Sequence, residues 1–217
     1  GADETDLTYT YEKNMKAVPS FGCIPFYTAV NTEPQIPRPW PVHYQAQEYL
    51  SNKMGREIPR GMHMAFQMEM IKPIDPIKGT LVYNTNIKKV YDRGDKGIVL
   101  EVDNPVYDES GMMICRNTSW NIIREVGNYG GEPFPKANIV YPDREPDWVL
   151  NSYISKTANV LYRLTGDTNF SHIDPEMAAT RGQKRPFMQG LSSFGFACFL
   201  AVKAIIPGEP ERMKRMY

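Results

Sequence analysis

The stretch Leu164-Thr165-Gly166-Asp167-Thr168-Asn169-Phe170-Ser171-His172-Ile173-Asp174-Pro175, running on through Glu176 and Met177 to Ala178, is the densest polar cluster in the chain. It places one of only three histidines five residues after an aspartate. On a turn, that spacing lets a carboxylate and an imidazole reach one water. One group can then take a proton while the other gives a proton to a substrate. Asn169 adds a donor and an acceptor that can orient the water or the substrate. The same residues also read as plain turn chemistry: Gly-Asp-x-Asn favours a turn, and Asp174 before Pro175 has the order of a helix cap followed by a first-turn proline. Taken alone, the residues leave both readings open. A metal site on His172 and Asp174 is a weak reading, because no third ligand is evident.

Outward from this cluster the pattern is helical. Ser155 is the expected N-cap of a helix running to about Leu164, and a short helix is expected after Asp174. The cluster therefore falls on a loop between two helices, where scaffolds present functional groups. The most apolar window, Phe187 to Ile206, is long enough to suggest a membrane helix, but Gln189, Ser192, Ser193, Lys203 and two glycines interrupt it. A buried core helix is the better reading, so no membrane span is expected. Upstream, Gly127 to Glu145 reads as a linker rich in Gly and Pro.

The first half is β in character. A short strand is expected over Phe66–Lys72, stopped by Pro73. Leu81, Tyr83, Thr85 and Ile87 alternate with polar residues as one half-buried strand. Turns at Asp92–Gly97 and Glu109–Gly111 separate it from a strand beginning at Ile98 and another over Met112–Arg124, an antiparallel meander. Before these, a short helix is expected around His43 to Met54. Pro34 to Pro41 reads as an extended loop, since four prolines deny it helix or central strand.

Composition narrows the function classes. The 217 residues are 41% hydrophobic, and 25 Lys and Arg balance 25 Asp and Glu for a net charge of +0. A nucleic-acid binder carries a basic excess, so nucleic acid is not expected as a partner. Two local basic runs, Arg181 with Lys184 and Arg185, and the run ending at Arg215, read as solvated faces. Cys23, Cys115 and Cys198 are odd in number and form no C-x-x-C, signalling neither a disulfide framework nor a zinc ribbon. The acidic start lacks a signal peptide, so secretion is not expected. Without an initial Met, a natural start upstream is expected. G-x-G-x-x-G is missing, so no nicotinamide site is expected.

The string L-T-G-D-x-N-x-x-H-I-D-P-x-x-A from Leu164 to Ala178 resembles the signature of the MaoC-like (R)-specific enoyl-CoA hydratases. It looks especially like the hydratase domain of peroxisomal multifunctional enzymes of type 2. The likeness extends along nearly the whole chain. Tyr11-Glu12 with Val18 to Gly22, Lys72-Pro73, Gly130-Gly131 and the Pro142–Asp147 linker follow the family's order. Gly190-Leu191 with Phe194-Gly195-Phe196 resembles the start of the family's central helix.

The resemblance implies an α+β double hot-dog, in which an antiparallel sheet wraps a long helix in each of two copies. Residues 1–145 would form the N-terminal half that accommodates the acyl chain. Residues 146–217 would begin the catalytic half, incomplete here because the strands that should follow the central helix are missing. The implied reaction is reversible syn addition of water to trans-2-enoyl-CoA, giving (3R)-3-hydroxyacyl-CoA. Asp167 and His172 would hold the water and move protons, Asn169 would help place them, and the Gly190 N–H would polarise the thioester carbonyl. No cofactor is implied, since coenzyme A is part of the substrate. A homodimer and a peroxisomal or cytoplasmic location are expected. Other readings keep the fold: a dehydratase on a different acyl thioester, such as one on acyl carrier protein, or a catalytically impaired acyl-CoA binding module. Four departures stand out. Phe170 replaces a Pro, Gln189 replaces a His, and Met64 and Ala65 replace the Gly and Glu after His63, which itself reads as structural.

Overall fold

The computed structural model describes residues 6–25, 42–58, 61–136, 139–167 and 169–217. The Pro34–Pro41 loop and Thr168 lie outside them. Helix α1 (Val42–Met54) precedes five strands: β1 (Met62–Met70), β2 (Leu81–Tyr83), β3 (Asn86–Asp92), β4 (Ile98–Asp108) and β5 (Met113–Ile123). Then come α2 (Ala158–Tyr162), α3 (Pro175–Ala179), the long α4 (Gly190–Ile205) and the short β6 (Arg215–Met216). The sheet is antiparallel with β4, β5, β1 and β6 side by side, while β2 and β3 both pair with the outer edge of β4.

The meander read from the sequence is present, with one correction. The alternation from Leu81 to Ile87 is two strands, not one. Asn84 turns its own Oδ1 to the Thr85 N–H (2.8 Å), diverting that donor from the ladder, and the facing β4 residue is Pro105, which has no donor. A second correction concerns the helix expected from Ser155 to Leu164. It starts after Thr157, ends at Tyr162 and passes into a 3-10 turn, Arg163–Thr165. Ser155 lies two residues before the cap position, Thr157, and its hydroxyl accepts from the Thr157 N–H instead of capping the helix. The strand expected to start at Phe66 begins four residues sooner and ends at Met70.

Alternate residues of β4 and β5 face one side and build two apolar clusters. Ile98, Leu100, Val102 and Ile123 pack with Ile58, Val126 and the α1 residues Ala46 and Leu50. Met68, Met70, Val106 and Cys115 pack with Cys23, Ile74 and the α4 residues Leu191, Phe194 and Cys198. An antiparallel sheet thus wraps α1 at one end and receives α4 at the other, the α+β hot-dog arrangement. Among the described residues no helix is long and apolar enough to cross a membrane.

The N-terminal arm fastens α4 to this sheet. The 3-10 turn Pro19–Cys23 lies between them, and Asn117 of β5 donates to the Gly22 carbonyl at 2.9 Å. Asp6 pairs with Lys203 (3.1 Å), and Tyr9 meets Phe199 edge-on. Gly22 is needed for closeness: a Cβ there would sit 2.7 Å from Cys115 Sγ, on a short side chain with no room to retreat. Gly22→Ala is expected to cost about 1–3 kcal/mol by overpacking, which lowers Tm by several degrees. Adding Cys115→Ala should restore most of it; a double variant as unstable as the single one would refute this cause.

Candidate active site

The polar cluster lies where α2, the loop from Arg163 to Asp174 and the N-terminus of α4 converge. Gly166 closes the 3-10 turn in the left-handed region (φ 106°), which an L side chain rarely adopts. Asp167 follows, 6% exposed. Its Oδ1 accepts from the Asn169 N–H at 2.9 Å, folding the loop back on itself. Burial raises its pKa above the ordinary carboxylate value, opposed by that hydrogen bond and by the charges of His172 and Arg163. Tyr162 lies close enough for the Asp167 charge to add to the burial that raises the phenol's pKa, so its hydroxyl stays protonated.

His172 ends the next 3-10 turn, Phe170–His172. Its Nδ1 is 2.9 Å from the Phe187 carbonyl oxygen, and its ring meets the Phe187 ring edge-on. A carbonyl only accepts, so in this contact Nδ1 donates and Nε2 is left without a partner among the described residues. The carbonyl of His172 is held as well: Asn159 Nδ2 donates to it at 2.6 Å, and Gln189 Nε2 donates to the Asn159 carbonyl at 3.2 Å. Gln189 is 3% exposed, and its Oε1 is buried with no partner among the described residues. The residue that departs from the family pattern is therefore wired to the loop bearing the imidazole.

Asn169 divides its work. Its Oδ1 accepts from the Ser171 N–H (3.2 Å) as the cap of the 3-10 turn, so its amide NH2 is what remains to meet a ligand. Asp174 is the α3 cap, accepting from Glu176 and Met177, which is the turn reading of that residue. Among the described residues no group of three His, Cys, Asp or Glu is arranged to hold a metal.

Gly190 opens α4, a helix of 16 residues, with Gln189 in extended conformation before it. The Gly190 and Leu191 N–H groups have no hydrogen-bond partner among the described residues, as expected of a first turn. Free N–H groups and the helix dipole make this a place where negative charge on an oxygen is stabilised. The nearest atom to a Cβ built on Gly190 is His63 Nδ1, at 3.6 Å. His63 comes from β1, where a bulge between His63 and Ala65 disturbs the ladder and re-aims the side chain. The residue as a whole is exposed, but neighbours crowd its ring, and that partial desolvation, opposed by a hydrogen bond with the Ala65 backbone, lowers its pKa. The sequence expectation for His63 was a structural role; the fold puts it beside the α4 N-terminus. Asn159 and Phe187 carried no sequence signal of a role and Gln189 showed only as a departure from the family pattern, because tertiary packing is what brings all three to the loop.

These features invite comparison with known proteins. The sequence profile of the MFE-2 hydratase 2 N-terminal domain matches residues 1–125, and that of the MaoC-like domain matches residues 138–216. The chain belongs to the MFE-2 hydratase 2 family. Peroxisomal multifunctional enzyme type 2 of Drosophila melanogaster is 31% identical over 96% of this chain and 37% of the relative. Peroxisomal enoyl-CoA hydratase 2 of Arabidopsis thaliana is 30% identical over 70% of this chain and 52% of the relative. Among solved structures, a MaoC-like dehydratase from Phytophthora capsici superposes with a TM-score of 0.76 at 31% identity, covering 98% of this chain and 71% of that one. The chain thus spans little more than a third of the multifunctional enzyme and about half of the plant hydratase.

The buried carboxyl of Asp167 has a stability consequence. Its folded pKa is raised, so the folded state keeps the proton to higher pH than the unfolded state does. The protonated group's contribution is fully present below the unfolded value of about 3.8 and is lost as pH rises through the folded value. Above that range the desolvated carboxylate is a constant penalty. Asp167→Asn keeps an oxygen for the Asn169 N–H and removes the charge. Its Tm is expected to exceed the wild-type Tm at pH 7, with the advantage shrinking toward pH 4. A variant less stable than wild type at pH 7 would contradict this account.

Proposed function

We propose that the chain catalyses reversible syn hydration of trans-2-enoyl-CoA to (3R)-3-hydroxyacyl-CoA, with no cofactor beyond the coenzyme A of the substrate. The observation that carries the reading is the convergence of three groups. They are the buried Asp167 carboxyl, the His172 ring fixed through Nδ1 by the Phe187 carbonyl, and the unpartnered Gly190 N–H at the head of α4. Family membership and the hydratase names of the relatives support it.

In this mechanism the thioester carbonyl lies against the Gly190 N–H. As water adds at C3, electron density moves onto that oxygen, and the N–H and helix dipole stabilise the developing enolate. Asp167 and His172 share the water. Between them the pair removes one proton as the water oxygen bonds to C3 and delivers one proton to C2 on the same face, ending with the protons it began with. Nε2 of His172 and the second oxygen of Asp167 are left without partners among the described residues, so the proton taken from the water at one of them is the proton passed on to C2. The Asn169 amide NH2 places the water or the substrate. Residues 1–145 accommodate the acyl chain, and residues 146–217 supply the chemistry. A homodimer in the peroxisome or cytoplasm completes the proposal.

Loss of conjugated enoyl-thioester absorbance with trans-2-enoyl-CoA, followed by chiral analysis of the product, tests the reading. Activity giving the (3R) alcohol, lowered about 10²–10⁴-fold by Asp167→Asn, is the expected result. A folded wild-type protein that hydrates no enoyl thioester would overturn it.

The Gly190 N–H can be removed almost alone. Proline suits the first helical position, and Gln189 already has the extended conformation that a residue before proline takes. Gly190→Pro is expected to fold and to lose about 10²–10³-fold in kcat, the usual cost of one oxyanion donor. Gly190→Ala keeps the N–H and meets only ordinary contact with His63, so it should lose much less. Equal losses in the two variants would assign the effect to bulk.

A further inference from the structure

The backbone of Gln189 belongs to α4. Its carbonyl accepts from the Ser192 and Ser193 N–H groups, at 3.1 and 3.2 Å, and so opens the helix. A residue at that position ordinarily turns its side chain onto the free N–H groups of the first turn. The Gln189 side chain makes no such bond. It runs instead to α2, where Nε2 donates to the Asn159 carbonyl at 3.2 Å. Gln189 is 3% exposed, and its Oε1 has no hydrogen-bond partner among the described residues. A buried amide satisfied at only one end destabilises a fold, which points to a task other than stability.

From Asn159 the path continues. Its Nδ2 donates to the His172 carbonyl at 2.6 Å, and the His172 ring returns through Nδ1 to the Phe187 carbonyl at 2.9 Å. Phe187 and Gln189 lie two residues apart in the non-helical segment that feeds α4. The three bonds therefore close a circuit that begins and ends on that segment. His172 is held in it twice, by its ring and by its backbone, against a frame whose next residue is Gly190. In a closed circuit no member moves without stretching another bond, whereas opening one link lets the rest drift. Both linking side chains are amides, which neither gain nor lose protons, so the circuit stays intact while protons move at Asp167 and His172.

We infer that Gln189 is a positioning residue: acting through Asn159, it fixes the His172 imidazole relative to the Gly190 N–H, so that the proton carrier and the oxyanion donor meet one substrate. This rests on the proposed hydratase reading and deepens it. A displacement of about 1 Å between two such groups costs up to about 10²-fold in rate.

The test compares wild type with Gln189→Met, Asn159→Leu and the double variant on trans-2-enoyl-CoA. Methionine matches glutamine in length and lacks both the donor and the unpartnered oxygen. The Asn159 carbonyl keeps the Arg163 N–H as its other donor, so Gln189→Met strands no new group and its Tm should stay within a few degrees of wild type. Its kcat is expected to fall about 10–10²-fold with KM changed by no more than about twofold, because the tie matters only while the two groups act together. Since the two bonds lie in series, the double variant should be no slower than the poorer single one. The tautomer of His172, read from its ring nitrogen shifts at a pH where the ring is neutral, is a measure independent of turnover. The Nδ1–H form should be less populated in both single variants, as the hold of the Phe187 carbonyl loosens. A kcat within about twofold of wild type, additive losses, an unchanged tautomer, or a Gln189→Met variant that loses its fold would each overturn the inference. If wild type hydrates no enoyl thioester, the hydratase reading fails, and the tautomer measurement alone then decides whether Gln189 positions the ring.

Discussion

Helix α4 is apolar along most of its length and needs cover, and the way it is covered fixes the geometry of everything polar around it. Phe194 and Cys198 go down against Met68, Met70 and Cys115 of the sheet, while the Pro19–Cys23 turn fills the space between. Phe66 of β1 meets Phe194 edge-on at a ring distance of 5.3 Å and His63 at 5.8 Å. This aromatic row runs from the helix to the strand that brings His63 to Gly190. A loss of packing at Phe194 would therefore be felt at the helix N-terminus, where free N–H groups serve only if they point to one place.

Around that fixed helix end, the loop bearing Asp167 and His172 is held by backbone groups more than by side-chain ion pairs. The Phe187 carbonyl sets the imidazole, Asn159 holds the His172 carbonyl, and the Asn169 N–H bends the chain over Asp167. Such restraints leave two polar atoms without partners among the described residues: Nε2 of His172 and the second oxygen of Asp167. The cost is borne locally, in a desolvated carboxyl and in a buried Gln189 oxygen without a partner. Both are the sort of strain that a working site retains and a purely structural loop would shed.

The sequence made different parts of this legible for different reasons. The meander could be read because each strand presents alternation and is punctuated by turns such as Asp92–Gly97. The α4 window was legible from its apolar run. The break at Asn84–Thr85 was not, since alternation continues through it and the cause lies across the sheet at Pro105. The short α2 was misjudged because Ser155 is a good cap in isolation, yet its hydroxyl is taken by the Thr157 N–H. At the site, Asp167, Asn169, His172 and Gly190 stood out through their pattern. His63 did not, because its approach to Gly190 depends on a β-bulge and on the packing of a helix more than a hundred residues later. Backbone acceptors such as Phe187 leave no trace in side-chain identity.

The pairing of β6 with β1 has a consequence for how the molecule is made. Arg215 lies against Glu69, joined by a 2.7 Å ion pair between residues 146 positions apart. When β1 leaves the ribosome, the strand that covers part of its free edge does not yet exist. At about 5–20 residues per second, that edge waits roughly 7–30 s for its neighbour. An open strand carrying Met62, Met64, Phe66 and Met68 is a template for mispairing with other nascent chains. Synthesis order thus places the greatest hazard before α4 arrives, and the protection of β1 in that interval falls to its own charge at Glu69, the early partner β5 and chaperones.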